Sequence, residues 1–294
     1  MDCPYCHHQE SNVVLTVKDY TVSGLFFDLH RCVQCGFIYT GNPPSKSEIG
    51  KYYKSDEYIS HTDSSKGVFN KIYQLVRNFS IRQKASLISG YTKLDKGRIL
   101  DYGCGTGSFL YQMKKNGWKV TGIEPDDIAQ KKAASLIDES VFSPDHLHAL
   151  KEASFDAITL WHVLEHVHDL DLTLDAFKRI LKTNGILVIA VPNNESFDAR
   201  YYKENWAAYD VPRHLYHFTP SSIDGILSKH GFRKIGMKPM WFDAFYVSLL
   251  SEKYKYGNMR LLSALGIAII SNLSAFLRPG KCSSQIYIYR SVLS

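Results

Sequence analysis

The spacing of apolar positions changes several times along the chain, and each change marks a new kind of element. Near the start, "NVVLTVKDY" and "LFFDLHRC" alternate enough to form short strands. From about Glu48 to Tyr91 the spacing becomes three and four residues, with Val68, Phe69, Ile72, Leu75, Val76 and Phe79 in register for a helix. After Gly97 the period changes again. "RILDYG", "WKVTGIE", "FDAITLW" and "GILVIAVP" read as strands buried on both faces, while "SFLYQMKKNG", "DIAQKKAASLI" and "LDLTLDAFKRILKTNG" between them read as amphipathic helices. The last of these helices puts Leu170, Leu174, Phe177 and Leu181 on one side. "TPSSIDGILSKHGF" has Thr219 to cap a helix, Pro220 at its first position and Gly231 to stop it. "FRKIGMKPM" and "SQIYIYRS" would complete the sheet. This alternation predicts an α/β fold with a parallel sheet covered by helices on both faces.

The cysteines add a second unit. Cys3 and Cys6 form one knuckle in "CPYCHH", and Cys32 and Cys35 form another in "CVQCGF". Two CxxC pairs at this spacing predict a zinc ribbon, because four thiolates close a tetrahedral Zn2+ site and so small a module needs such a staple. The expected organisation is a ribbon over 1–40, a linker and helices over 41–96, and an α/β domain over 97–294 with a helical insertion at about 241–282. "NPP" at Asn42 to Pro44 fits the linker.

Composition narrows the partners. The net charge of +6 permits an anionic partner without requiring one. The ribbon has Lys18 and Arg31 against Asp2, Glu10, Asp19 and Asp28, so it is slightly acidic, which disfavours RNA. No charged and then apolar leader opens the sequence, and the expected location is cytoplasmic.

"ILDYGCGTGSF" packs Gly103, Gly105 and Gly107 between the first strand of the α/β region and its helix. Such a turn lets backbone approach a ligand and aims free N–H groups at it. Ser108 stands where a dinucleotide turn has its third glycine, and no lysine follows as in a P-loop. Asp101 precedes the turn and Glu124 ends the second strand, where an acid can accept from both ribose hydroxyls. One acid for an ammonium, one for a ribose and no phosphate grip describe S-adenosylmethionine (SAM).

"ILDYGCGTG", "GIEPD", "FDAITLWHVLEHVHD" and "LKTNGILVIAVPN", in this order, resemble the motifs of class I SAM-dependent methyltransferases over residues 97–193. The resemblance implies a Rossmann-like class I methyltransferase sheet behind the small N-terminal zinc ribbon. It implies that Asp101, Gly103, Cys104, Gly105 and Gly107 cradle the methionine part, that Glu124 holds the ribose, and that the backbone at Trp161 and His162 lines the reactive end. Asp145 is a further candidate, for the adenine amino group.

"NWAAYDVPRHLYHFTP" follows the last parallel strand, beyond the carboxyl edge where ligands bind in open α/β sheets. His214 or His217 is the expected proton acceptor, supported by Asp210 and Tyr216, with Arg213 expected to keep its histidine neutral. His162 and His166 have i, i+4 spacing, but without the zincin glutamate they are assigned to the cofactor end rather than to a metal. A ribbon ahead of such a core, with "RHLYHFTPSSI", is similar to sugar C-methyltransferases, which have glutamate where this chain has Arg213. The expected acceptor is a small polar molecule, sugar-like or another glycan or secondary-metabolite precursor, methylated on oxygen or carbon. Tyr52, Tyr53, Tyr58, Trp206, Tyr209 and Trp241 are expected around its entrance. The alternative is a ribbon-bearing RNA methyltransferase. "LLSALGIAIISNLSAFL", residues 261–277, is too short to span a bilayer and predicts a buried helix hairpin at a dimer interface or a membrane-surface contact.

Overall fold

The computed structural model describes residues 2–53 and 68–292. Tyr58, and the side chains of Val68, Phe69 and Ile72, lie outside that description. Its centre is a seven-stranded sheet in the order β10-β11-β8-β7-β4-β5-β6. The strands are β4 (Arg98–Tyr102), β5 (Lys119–Ile123), β6 (Val141–Phe142), β7 (Phe155–Trp161), β8 (Leu181–Pro192), β10 (Phe232–Pro239) and β11 (Ser284–Ser291). Strands β4 to β8 are parallel, and β11 enters antiparallel between β8 and β10. The sheet is therefore mixed at one edge.

Because successive side chains point to opposite faces, each strand feeds two cores. Leu100, Ile158, Leu160, Leu187 and Ile189 pack on one side. Ile99, Ala157, Ile186, Val188 and Ala190 pack on the other, against α1 (Val68–Thr92), α2 (Ser108–Lys115) and α3 (Asp127–Ile137). The first face is covered by α4 (Leu170–Ile180), whose Leu170, Leu174, Phe177 and Ile180 are buried, and by α6 (Pro220–Lys229). Thr219 caps α6 with Ser222 in a reciprocal box, as its sequence signals require.

One sequence expectation is corrected here. The helical period read through Leu181 stops at Ile180, because Leu181 pairs with Phe155 and begins β8. Of the helical stretch read from Glu48 to Tyr91, the described residues hold a short turn at Ile49–Tyr53 and α1 from Val68, and 54–67 lie outside the described residues. Between β10 and β11 lies a helix pair, α7 (Asp243–Tyr256) and α8 (Leu261–Leu277), packed with the short α5 (Phe197–Tyr202). Among the described residues, no helix is long and apolar enough to cross a membrane.

The ribbon contributes β1 (Ser11–Lys18), β2 (Phe26–Cys32) and β3 (Ile38–Thr40), and its sheet is completed from the other end of the chain. β9 (Tyr216–His217) pairs with β3, Ile38 opposite His217 and Tyr39 opposite Tyr216. Cys3, Cys32, Phe37 and Tyr39 share one core with Leu160 and Phe218. The ribbon strands and the α/β region thus share one core.

Candidate functional site

The glycine turn has the conformation its residues suggest. Gly103 has φ 77°, and a Cβ there would stand 2.4 Å from a Val163 methyl. Gly105, at φ 54°, faces open space, so a ligand can approach the backbone. Its N–H donates to Glu124 Oε2 at 2.8 Å, and the Asp126 N–H donates to Oε1 at 3.1 Å. These two bonds hold the Glu124 carboxylate against the glycine turn. The Cys104 Sγ packs toward Gly122.

Asp101 is buried at the end of β4, and Thr159 Oγ1 donates to its Oδ1 at 2.6 Å. Burial pushes its carboxyl up to about 7, although Thr159 and the Lys84 ammonium pull the other way. A buried acid in this position gains most from a cation, which suits the ammonium of a methionine group. The Lys84 ammonium lies 4.3 Å from the centre of the Trp161 ring. Burial lowers the Lys84 pKa, with Asp243 and Asp101 opposing. These donors, the open glycine and the two acids fit SAM. Asp145 lies on the surface after β6. Its side chain is 89% exposed and 3.8 Å from Lys46, the geometry of a solvated loop acid.

His162 follows β7 with φ 58°, a left-handed conformation uncommon for a residue with a Cβ. Its Nε2 is 2.9 Å from Asp243 Oδ2 on α7, and its Nδ1 is 3.6 Å from Glu165 Oε1. Burial works against its charge, yet Asp243 and then Glu165 raise its pKa to about 9. Glu165 is fully buried, and neither carboxylate oxygen has a hydrogen-bond partner among the described residues. Against the cost of burial, the facing His162 holds that carboxyl below its usual range.

Two more imidazoles close the cluster. His166 Nδ1 faces the Arg213 carbonyl and the Tyr53 hydroxyl, each at 3.0 Å, and the rings of His166 and His214 meet edge to face at 4.5 Å. His214 Nδ1 donates to the Ala208 carbonyl at 2.9 Å. A backbone carbonyl only accepts, so both Nδ1 atoms carry a proton, and in the neutral ring the lone pair is then on Nε2. Burial, then His214, pushes His166 down to about 4. Glu165, His166 and His214 each offer a ligand atom, all within 4.8 Å of one another, a donor set able to hold a metal ion.

The structure brings only part of the acceptor loop to this cluster. His217 is buried with Nε2 3.1 Å from Thr40 Oγ1, on the ribbon. Arg213 turns to the ribbon as well, donating to Asp210 (2.6 and 3.0 Å), Asp19 (3.2 Å) and the Tyr52 carbonyl. Its charge is spent on those aspartates. Asp210 Oδ2 remains 3.9 Å from His214 Nε2. Tyr216 donates to the His168 carbonyl. Trp206 is core, donating to buried Asp198, and Tyr209 packs edge-on to it and to His217, so neither lines an entrance. Trp241 does border a cavity of about 770 Å³ between α1 and β10–β11, walled by Leu87, Tyr91, Met240 and Phe242, with Lys84 and Asp243 among its lining residues.

At the other end, the four ribbon sulfurs converge. Cys3 and Cys35 Sγ are 3.6 Å apart, Cys6 and Cys32 Sγ 3.5 Å, and all four lie within 4.8 Å of one another. A tetrahedron of thiolates around zinc has edges of about 3.8 Å, whereas a disulfide needs about 2 Å.

Residues 67–235 match the family model described as a methyltransferase domain. The chain is 32% identical over 168 residues to a ubiquinone biosynthesis O-methyltransferase of Pelagibacter ubique, covering 52% of this chain and 67% of that protein. Other relatives of the same name match over as little as 49% of their length. Among solved structures, the cyclase SpnF superposes with a TM-score of 0.51 at 18% identity, over 72% of this chain and 81% of that one. Phosphoethanolamine N-methyltransferase 2 of Haemonchus contortus, in complex with SAM, superposes with a TM-score of 0.50 at 17% identity, over 72% and 53%. The chain belongs to the methyltransferase domain family, and its core is that of the class I SAM-dependent enzymes.

Glu124 offers a direct check of the cofactor cradle. Glu124→Ala should weaken SAM binding by about 1–3 kcal/mol, the usual worth of hydrogen bonds to a charged acceptor, in titration calorimetry. Unchanged affinity would remove the ribose role from this acid.

Proposed function

We propose that the chain methylates a hydroxyl oxygen of a small acceptor, with His214 as proton acceptor. The observation that carries this reading is the buried cluster of Glu165, His166 and His214 just past β7, with both imidazole Nδ1 atoms turned to backbone carbonyls. When bound, SAM supplies an electrophilic methyl on a sulfonium. Asp101 and the backbone at Gly103, Cys104, Gly105 and Gly107 would hold its methionine end, and Glu124 its ribose. His214 Nε2 takes the proton that the acceptor hydroxyl loses as its oxygen gains the methyl group, and a dry site keeps water from competing.

The cavity beside Lys84 and Asp243 supports an acceptor with an apolar body. Its lining sets Leu87, Met240 and Phe242 beside Gln83, Lys84 and Asp243, so it takes a body that is apolar on one side and polar on the other. An aromatic alcohol related to ubiquinone precursors, the pathway in the relatives' name, fits such walls directly, and the sugar-like acceptor fits when joined to an apolar carrier. Incubation with methyl-labelled SAM and either a prenylated catechol or a lipid-linked sugar separates them. Label on the catechol oxygen supports the first reading, label on the sugar selects the second, and label on RNA alone overturns both.

The ribbon cysteines would hold one zinc ion through Cys3, Cys6, Cys32 and Cys35, which shapes the fold and takes no part in methyl transfer. Elemental analysis should find one zinc per chain, and its removal by chelator should lower the melting temperature. Four freely titratable thiols in metal-free, equally stable protein would remove the site.

A further inference from the structure

Helix α8 has its polarity reversed for a surface helix. Its inward positions are Ala264, Ile267, Ala268, Ser271 and Ala275, mostly small, and Ser271 donates to buried Asp198 at 2.6 Å. Every exposed position from Leu261 to Leu277 is leucine, isoleucine or phenylalanine. Leu262 is 84% exposed, Phe276 76% and Leu277 77%, with Leu265, Ile269, Ile270 and Leu273 between them. An apolar face this long and continuous is a binding surface and not scattered surface leucine. The helix is anchored, so the face is fixed in direction.

Charge identifies the occupant. Arg260 stands at the N-terminal end of α8 and Arg278 at its C-terminal end, and Lys255 lies just ahead on α7, all three exposed. No aspartate or glutamate occurs after Glu252. Two copies of this chain meeting through α8 would set Arg260 against Arg278 if antiparallel, or each against itself if parallel, with no acid in the segment to pair them. Anionic lipid headgroups supply that missing charge.

We propose that this face docks on an anionic membrane surface. Helix α8, about 25 Å long at 1.5 Å per residue, lies in the interface plane with its leucines in the acyl boundary and its arginines among the headgroups. Asn272 donates to the Trp241 carbonyl at 2.8 Å, and Trp241 borders the cavity described above, so the docked face and that cavity are tied together. The inference does not depend on which acceptor the enzyme takes.

Co-sedimentation of the full chain with vesicles tests it. The chain should pellet with phosphatidylcholine vesicles containing phosphatidylglycerol, and far less with phosphatidylcholine alone or in high salt. Leu262→Glu/Phe276→Glu, at positions too exposed to affect folding, and Arg260→Glu/Arg278→Glu should each lower the bound fraction by at least about tenfold with SAM affinity kept. Failure to pellet with anionic vesicles overturns the proposal, as do variants that pellet like the parent. So does a dimer in sedimentation velocity that Leu262→Glu/Phe276→Glu dissolves while no lipid is bound.

Discussion

His214→Ala is expected to cut turnover on the true acceptor by roughly 10²- to 10⁴-fold, the range for a lost general base, while leaving SAM affinity unchanged. The loop is built to hold this ring. Asp210 is in the left-handed region at φ 37°, the His214 N–H donates to the Asp210 carbonyl, and the Leu215 N–H donates to the Glu165 carbonyl at 2.7 Å. These bonds set the backbone, and the Ala208 carbonyl fixes the tautomer. His217→Ala is the comparison. Burial, then His214, pushes His217 down to about 3, and its Nε2 faces Thr40, so it joins ribbon to loop as a neutral group. Its loss should lower stability and leave turnover within a few-fold. Pre-steady-state methyl transfer at saturating SAM checks both variants. If neither slows, the base is not on this loop, and His166 with Glu165 is the pair to replace.

What could be read from the sequence follows how local each signal is. The strands β4, β5, β7 and β8 were legible because buried parallel strands are continuous apolar runs, and the glycine turn because only a few ligands need so many glycines beside an acid. The four sulfurs were legible from spacing alone. The join between ribbon and acceptor loop was not. β9 is two residues long, and Tyr39–Tyr216 pairing spans most of the chain without a periodic trace in either partner. Lys84 and Asp243 were hidden for another reason. Each occupies a helix, where a lone charge reads as a solvated face, yet α1 and α7 carry both beside Trp161 and His162. The same ambiguity misled in the other direction at Trp206 and Tyr209. Aromatic residues beside histidines suggested an entrance, but Asp198 gives the indole a buried partner and the pair closes a core.

That hidden join also predicts the largest stability effect. Arg213 is 1% exposed and holds Asp210 on its own loop and Asp19 on the ribbon. Removing one member of a buried ion network leaves uncompensated charge, so Arg213→Leu should cost about 3–5 kcal/mol at neutral pH. The stranded charge is mainly Asp210, because Asp19 also accepts from the backbone N–H groups of Thr21, Val22 and Ser23 and from the Ser23 hydroxyl. Adding Asp210→Asn to the variant should therefore recover part of the loss. The pH dependence should reverse as well. Burial opposes the charge of Asp210, but Arg213 holds its carboxyl below the ordinary 3.8, so in the parent its contribution is present above that value and lost as pH falls below it. Without the guanidinium, burial raises the folded-state pKa, and the contribution is then present at low pH and lost as pH rises. The deficit of Arg213→Leu measured by urea unfolding should accordingly shrink from pH 7 toward pH 4. A deficit under about 1 kcal/mol at pH 7, in the range of exposed pairs, would mean that the ribbon and the loop are held together without this bridge.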